Sequence, residues 1–260
     1  MRNEMLKILH VDIETAPKQA FVWGMWKQNI SPIQLISDWF MLSWRAKWHH
    51  SDVIYGAVLT EQDAIDEDDG HILQELWDML DEADVVVGHN VDKFDAPSIN
   101  TRFLVNGLTP PSPYKTVDTL KVAKRKFKFS SNRLDYLGEF LGVGRKMDTG
   151  GMELWIECLK GNEEALQKMY EYNGQDVLLL QEVYTRLLPY IPHHPNHNTS
   201  EHLDKHSCTR CGSEHVVRRG YYSTNLSKFQ RYKCNSCGAW SRARVNVRTK
   251  EEMSKTLMPI

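Results

Sequence analysis

Asp12 and Glu14 close an apolar run, LHVDIET, that reads as a buried strand. Residues two apart on a strand project from one face, so both carboxylates point to a single place. Tyr172 and Asp176 stand four apart in YNGQD, within a helical pattern, and share a helix face. Asp95 belongs to VVVGHNVDKFD, a second buried strand that breaks at Gly88 into a loop and a helix start. Acids from separate elements that converge at strand ends suit hard divalent cations, which take oxygen ligands and leave coordination sites open for phosphate oxygens. Two such ions roughly 3.5 to 4 Å apart activate water on one side and stabilise the leaving oxygen on the other. A tyrosine beside them can orient the attacking water without titrating near neutral pH.

Taken in order, Asp-x-Glu, Asn-x3-Phe-Asp (Asn90 to Asp95) and Tyr-x3-Asp resemble the motifs of the DEDD, or DnaQ-like, exonuclease superfamily. The tyrosine places the resemblance in the DEDDy branch, which includes the proofreading domains of family B DNA polymerases and ribonuclease D. It runs over about residues 5–190 and takes in VDTL at 117–120 and NRLDYLGEFLGVGRK at 132–146. It implies that Asp12, Glu14, Asp95 and Asp176 are ligands of two Mg²⁺ or Mn²⁺ ions, and that Tyr172 orients water. The implied reaction is 3′-to-5′ hydrolysis releasing nucleoside monophosphates. Asp92 precedes Lys93 and lacks an aromatic before it, so it reads as a loop residue. Asp118 reads as the cap of the following KVAKRKF helix.

A second constellation lies in the last quarter of the chain. Cys208 and Cys211, then Cys234 and Cys237, form two Cys-x2-Cys knuckles separated by 22 residues, a spacing that a zinc ribbon with an intervening hairpin accommodates. Four thiolates fill a tetrahedral Zn²⁺ and leave no catalytic opening, so this metal is expected to be structural. Disulfides are disfavoured without a secretory signal. Cys158 reads as a buried apolar residue on a helix.

Charge divides the chain where the knuckles begin. Residues 1–204 carry 20 Lys or Arg against 31 Asp or Glu, whereas 205–250 carry 11 against the single Glu214, a net of +10. Arg218, Arg219, Lys228, Arg231 and Lys233 interleave with Tyr221, Tyr222, Phe229, Tyr232 and Trp240, a pattern that suits phosphate neutralisation and base stacking on nucleic acid. The segment also looks like zinc ribbons of transposase-associated proteins. Arg145 and Lys146, in a glycine-rich loop, are further candidates for backbone contact. In FVWGMWKQNISPIQLISDWF, Trp23, Trp26 and Trp39 either stack on the bases of a frayed 3′ end or pack the segment onto the core.

These residues need elements to position them. Strands are predicted near 6–13, 39–46, 52–59, 84–88 and 114–118, and helices near 70–82, 95–106, 131–141 and 163–188. Leu134, Leu137 and Leu141 make one stripe, with Gly142 as a stop signal. Gly174, between Tyr172 and Asp176, marks a bend or a close approach to substrate. The mixture gives an α/β layered domain, which the resemblance makes ribonuclease H-like, a mixed sheet flanked by helices, followed by a small C-terminal zinc ribbon. The expected divisions are a catalytic domain at 1–191, a hydrated linker at 192–206, the ribbon at 207–250 and a tail at 251–260.

No apolar stretch approaches the ~20 residues of a membrane span, and MRNEMLKILHVD carries acids where a signal peptide would be apolar, so a cytoplasmic setting is expected. The expected partner is nucleic acid, with DNA favoured over RNA, and replication or repair proteins are candidate partners. Two alternatives stay open: an exonuclease acting on RNA, since 2′-OH recognition depends on pocket geometry, and a non-catalytic nucleic-acid adaptor.

Overall fold

Alternation along β1 (Ile8–Thr15) sets the architecture. Leu9, Val11 and Ile13 are buried in the main apolar cluster, so His10, Asp12 and Glu14 face the other way. The computed structural model describes residues 6–199 and 205–258. It divides into two units, Lys7–Thr185, and Arg186–Ile260 with Met1–Leu6.

In the first unit a short pair, β2 (Gln19–Ala20) and β3 (Leu35–Ser37), precedes β4 (Met41–Trp48), which runs antiparallel to β1. β5 (Ile54–Val58) runs antiparallel to β4, while β6 (Val85–Gly88) and β7 (Lys115–Asp118) add in parallel on the far side of β1. The sheet order is β5-β4-β1-β6-β7. Its central strands are covered on both faces, which is why ILHV and VVVG read as continuous apolar runs.

The helices are α1 (Glu61–Asp66), α2 (Gly70–Glu82), α3 (Asp95–Val105), α4 (Thr119–Lys126), α5 (Leu134–Phe140), α6 (Met152–Leu159) and α7 (Glu163–Leu187). On α2, Ile72, Leu73, Leu76, Met79 and Leu80 repeat at helical spacing and are buried. Each such side chain contributes about 1.5–3 kcal/mol by leaving water. Asp118 caps α4 by accepting from Lys121 N at 3.1 Å, as its sequence context indicates. Gly142 sits just beyond α5 at φ +67, where a Cβ is disfavoured. The short α1 was outside the predicted helices. It starts at a Thr60/Asp63 capping box but buries only Ala64, so it shows no apolar stripe.

Asp69, in the acidic run EDDG, is fully buried. It accepts from Met41 N at 2.8 Å, from Asn106 Nδ2 at 3.0 Å, and from Arg102 through both Nε and Nη2 at 2.5 and 2.8 Å. This forked ion pair ties α3 to the turn that starts α2 and to β4.

The second unit holds a sheet of β8 (Val216–Ser223), β9 (Lys228–Cys234) and β10 (Trp240–Asn246), antiparallel in the order β10-β9-β8, followed by α8 (Lys250–Ser254). The segment expected as a hydrated linker is instead fastened to the ribbon in its described part. Arg210 donates to Pro192 O at 3.1 Å and His194 O at 3.3 Å, and Asn198 Nδ2 donates to Ser207 O at 3.0 Å. The rings of His194 and His197 are buried and stacked. Residues 200–204 of that expected linker, and 259–260 of the expected tail, lie outside the described residues. Among the described residues no helix is long and apolar enough to cross a membrane.

Candidate functional site

Asp12 and Glu14 share the β1 face turned toward α7, where Tyr172 and Asp176 lie one turn apart. Carboxylate oxygens of Asp12, Glu14 and Asp176 come within 4.8 Å of one another. Asp95 opens α3 beside them. Its Oδ1 accepts from Ile13 N at 3.4 Å, and its oxygens fall outside that tight group of three. Two residues unassigned to this cluster in the sequence complete it. Asn173 Nδ2 donates to Asp12 Oδ2 at 2.6 Å, and Ser43 Oγ donates to Asn173 Oδ1 at 3.4 Å, which fixes the amide. Lys146 Nζ donates to Tyr172 Oη at 3.0 Å and pairs with Asp176.

So Lys146, expected on an exposed loop, is carried into the acids with only 28% of its side chain exposed. Its neighbour Arg145 stays outside and pairs with Glu139. Gly174 makes room for Arg45, since a Cβ there would lie 3.2 Å from Arg45 Nε. The close approach is internal, and Arg45 stacks over the Tyr170 ring at 3.8 Å.

The electrostatics follow from crowding acids away from water. Burial, then the charges of Asp95, Asp176 and Glu14, hold Asp12 well above the usual carboxylate range. Burial, then the Asp176 charge, push Glu14 up to about 8, and burial pushes Asp95 up to about 7. Burial works against the charge on Lys146, yet Asp176 and the bonds to Asp176 and Tyr172 keep its pKa above the ordinary lysine value. The carboxylates therefore have one ammonium between them and an unmet demand for positive charge. Asp176 Oδ1 is buried with no hydrogen-bond partner among the described residues. An all-oxygen donor set with an orphaned carboxylate oxygen fits a hard divalent cation.

Two clefts are lined by residues that adjoin the acids, Thr15 and Phe94 in one and Lys146 in the other. One, of about 370 Å³, is lined by Thr15, Lys18, Trp39, Phe94 and Pro97. The other, of about 670 Å³, is lined by His89, Lys124, Asn132, Arg133 and Lys146. Of the three tryptophans, Trp39 lines a cleft, whereas Trp23 and Trp26 are 99% and 86% exposed and do not pack on the core. Phe21, Met25 and Ile33 in the same segment are exposed with them, which leaves no room for the packing alternative at these positions.

In the second unit the four cysteines lie within 4.8 Å of one another, with Cys208 and Cys237 Sγ at 3.6 Å and Cys211 and Cys234 Sγ at 3.8 Å. Thiolates about 2.3 Å from a tetrahedral Zn²⁺ are about 3.8 Å apart, so the set fits that ion. Both knuckles close alike: Gly212 N donates to Cys208 O at 3.0 Å and Gly238 N to Cys234 O at 3.1 Å, with the two glycines at φ +71 and +81. The sheet register puts Arg231 and Lys233 on one face of the ribbon and Arg218 and Lys228 on the other, with Arg219 at an irregularity in β8.

Three antiparallel strands continued by two parallel ones, with acids gathered from β1 and α7, define an RNase H-like domain, here followed by a four-cysteine ribbon. A family model, RNase_H_2, described as RNase_H superfamily, matches residues 49–188, and the chain belongs to that superfamily. The match begins beyond Asp12 and Glu14. Over 91 residues the chain is 30% identical to Protein NEN3 of Arabidopsis thaliana, covering 33% of this chain and 18% of that protein. The family B DNA polymerase from the hyperthermophilic archaeon Pyrobaculum calidifontis shares the fold, with a TM-score of 0.53 and 18% identity over 71% of this chain and 25% of the polymerase. The chain thus spans a quarter or less of each relative's length.

Proposed function

We propose that the chain is a divalent-metal-dependent 3′-to-5′ exonuclease that hydrolyses DNA, at single strands or 3′ ends, to nucleoside monophosphates, with its ribbon as a nucleic-acid-binding arm. The observation that carries this reading is the meeting of Asp12, Glu14 and Asp176 within 4.8 Å, with Tyr172 one turn away on α7. Two Mg²⁺ or Mn²⁺ ions, held by these acids and Asp95, would supply an activated water and a counter-charge for the leaving oxygen. The surrounding side chains do the rest. Asn173 fixes Asp12, the Tyr172 hydroxyl orients water, and the clefts at Trp39 and at Asn132 receive the terminal nucleotide and the strand behind it. One Zn²⁺ on Cys208, Cys211, Cys234 and Cys237 holds the ribbon together.

The test uses one sequence as 5′-labelled single-stranded DNA, duplex DNA and RNA, with and without Mn²⁺, resolved by product length. The expected result is metal-dependent shortening from the 3′ end in single-nucleotide steps, fastest on DNA and abolished in Asp12→Ala. Parental cleavage by that variant would refute the site, and faster cleavage of RNA would refute DNA as the substrate.

A further inference from the structure

The ribbon sheet has two unlike faces, and its register assigns each side chain to one of them. Residues directly opposite across a strand pair share a face, and neighbours along a strand alternate. Gln230, Tyr232 and Cys234 of β9 therefore point one way, with Tyr221, Arg218 and Ser241 among their partners. The unit itself closes that face at its cysteine end, whereas Tyr221, 49% exposed with Lys228 Nζ 4.3 Å from its ring centre, leaves the far end open. Cys234 joins the cysteine cluster, Tyr232 is buried with its ring 4.8 Å from that of His206, and Ser241 Oγ is 2.9 Å from Thr209 Oγ1.

The other face carries Phe229, Arg231 and Lys233, with Tyr222 opposite Phe229, Arg242 opposite Arg231 and Trp240 opposite Lys233. Ring contacts agree with this assignment: the Arg242 guanidinium lies 4.2 Å from the Phe229 ring centre and 5.4 Å from that of Tyr222, and Arg231 lies 4.6 Å from that of Trp240. Tyr222 and Trp240 are about half exposed, at 47% and 48%. Arg231 and Arg242 donate to the backbone carbonyls of Arg219 and Ala243, so both guanidiniums keep their charge available to a ligand. Among the described residues no carboxylate forms an ion pair with Arg231, Lys233 or Arg242.

We propose that this face is a binding platform for single-stranded nucleic acid. Three rings and three cations share one open surface in a segment of net charge +10, which calls for a polyanion with exposed apolar faces. Unpaired bases offer those faces, whereas in a duplex they are stacked inside the helix. Bases stack on Tyr222, Phe229 and Trp240 or on the guanidinium planes covering them, and Arg231, Lys233 and Arg242 hold the phosphates. Stacking does not select the sugar, so DNA and RNA strands share this chemistry. The inference rests on reading the ribbon as a nucleic-acid-binding arm and narrows it to one face.

The experiment uses the full chain in an Asp12→Asn background, which removes cleavage from the readout, titrated with fluorescent oligothymidylate, oligouridylate and a duplex of equal length. The parent is expected to bind at least one single strand about tenfold or more tighter than the duplex. Phe229→Leu with Trp240→Leu keeps charge and apolar bulk, and should weaken that binding about 30-fold at unchanged zinc content. Arg231→Gln with Arg242→Gln should flatten the salt dependence of single-strand binding by about 1.4 in log–log slope. Unchanged single-strand affinity in the ring variant, an unchanged slope in the arginine variant, or a duplex bound by the parent as tightly as the better-bound strand overturns the platform. A parent that binds none of the three overturns the arm itself, whatever its nuclease activity.

Discussion

Asn173 Nδ2 donates to Asp12 Oδ2 at 2.6 Å, so the long helix α7 sets the orientation of a carboxylate on the central strand. The amide is fully buried and fixed from behind by Ser43. Groups that hold metal ligands in place typically influence affinity or activity by about 10- to 100-fold. Asn173→Ala is therefore expected to lower kcat about tenfold or more while circular dichroism stays native. Full activity in a folded variant would show that Asp12 needs no such support.

Lys146 pairs with Asp176, the carboxylate proposed to bind a divalent cation, so ammonium and cation compete for the same oxygen atoms. Lys146→Met should make Mn²⁺ bind about tenfold tighter by calorimetry, a difference of about 1.4 kcal/mol. It should also lower the melting temperature of the metal-free protein, because the acids lose their one ammonium. Weaker Mn²⁺ binding in the variant would make Lys146 a support of the metal site rather than its rival.

The raised carboxyl pKa values fix the sign of a pH effect. Glu14 titrates at about 8 in the folded protein against 4.5 ordinarily, so between those values the folded state binds the extra proton. Stability falls with rising pH wherever the folded state holds more protons than the unfolded state. Without divalent cations, the melting temperature should drop from about pH 5 to pH 8. Added Mn²⁺ displaces those protons and should stabilise the protein more at pH 8 than at pH 5. A metal-free protein that grows more stable over this window, once other titrations are matched with a Glu14→Gln control, would contradict the crowding described for the site.

Asp69 and Arg102 form a forked pair with side chains 0% and 14% exposed. Removing one partner of a buried pair leaves the other uncompensated and costs about 3–5 kcal/mol. Asp69→Ala should show that loss in urea unfolding. A loss below about 1 kcal/mol would mean that Arg102 reaches water in the variant.

The sheet and its main helices were legible because apolar periodicity marks them. LHVDIET, VVVGH and the Leu134 stripe each occur within a few residues of their predicted positions. Spacing alone put Asp12 beside Glu14 and Tyr172 beside Asp176, since strand and helix geometry fix which side chains share a face; that the two pairs meet was implied by the family resemblance. Residues whose roles come from the path of the chain in space were harder to read. Asn173 looks like any polar residue on a helix, and nothing local shows that it meets a residue 161 positions away. Lys146 reads as an exposed loop cation until the loop is folded over Asp176. Asp69 is hidden in a run of acids that resembles a solvated turn. Residues 192–199 have the composition of a linker, and Arg210, the buried histidines and the Asn198 bond to Ser207 give them a fixed place.

Manganese anomalous diffraction from crystals of this chain tests the central claim most directly. The account predicts two peaks about 3.5 to 4 Å apart, ligated by oxygens of Asp12, Glu14 and Asp176, with Lys146 Nζ displaced from Asp176. Crystals soaked in Mn²⁺ that show no manganese at these acids, with Lys146 still bonded to Asp176, would contradict it.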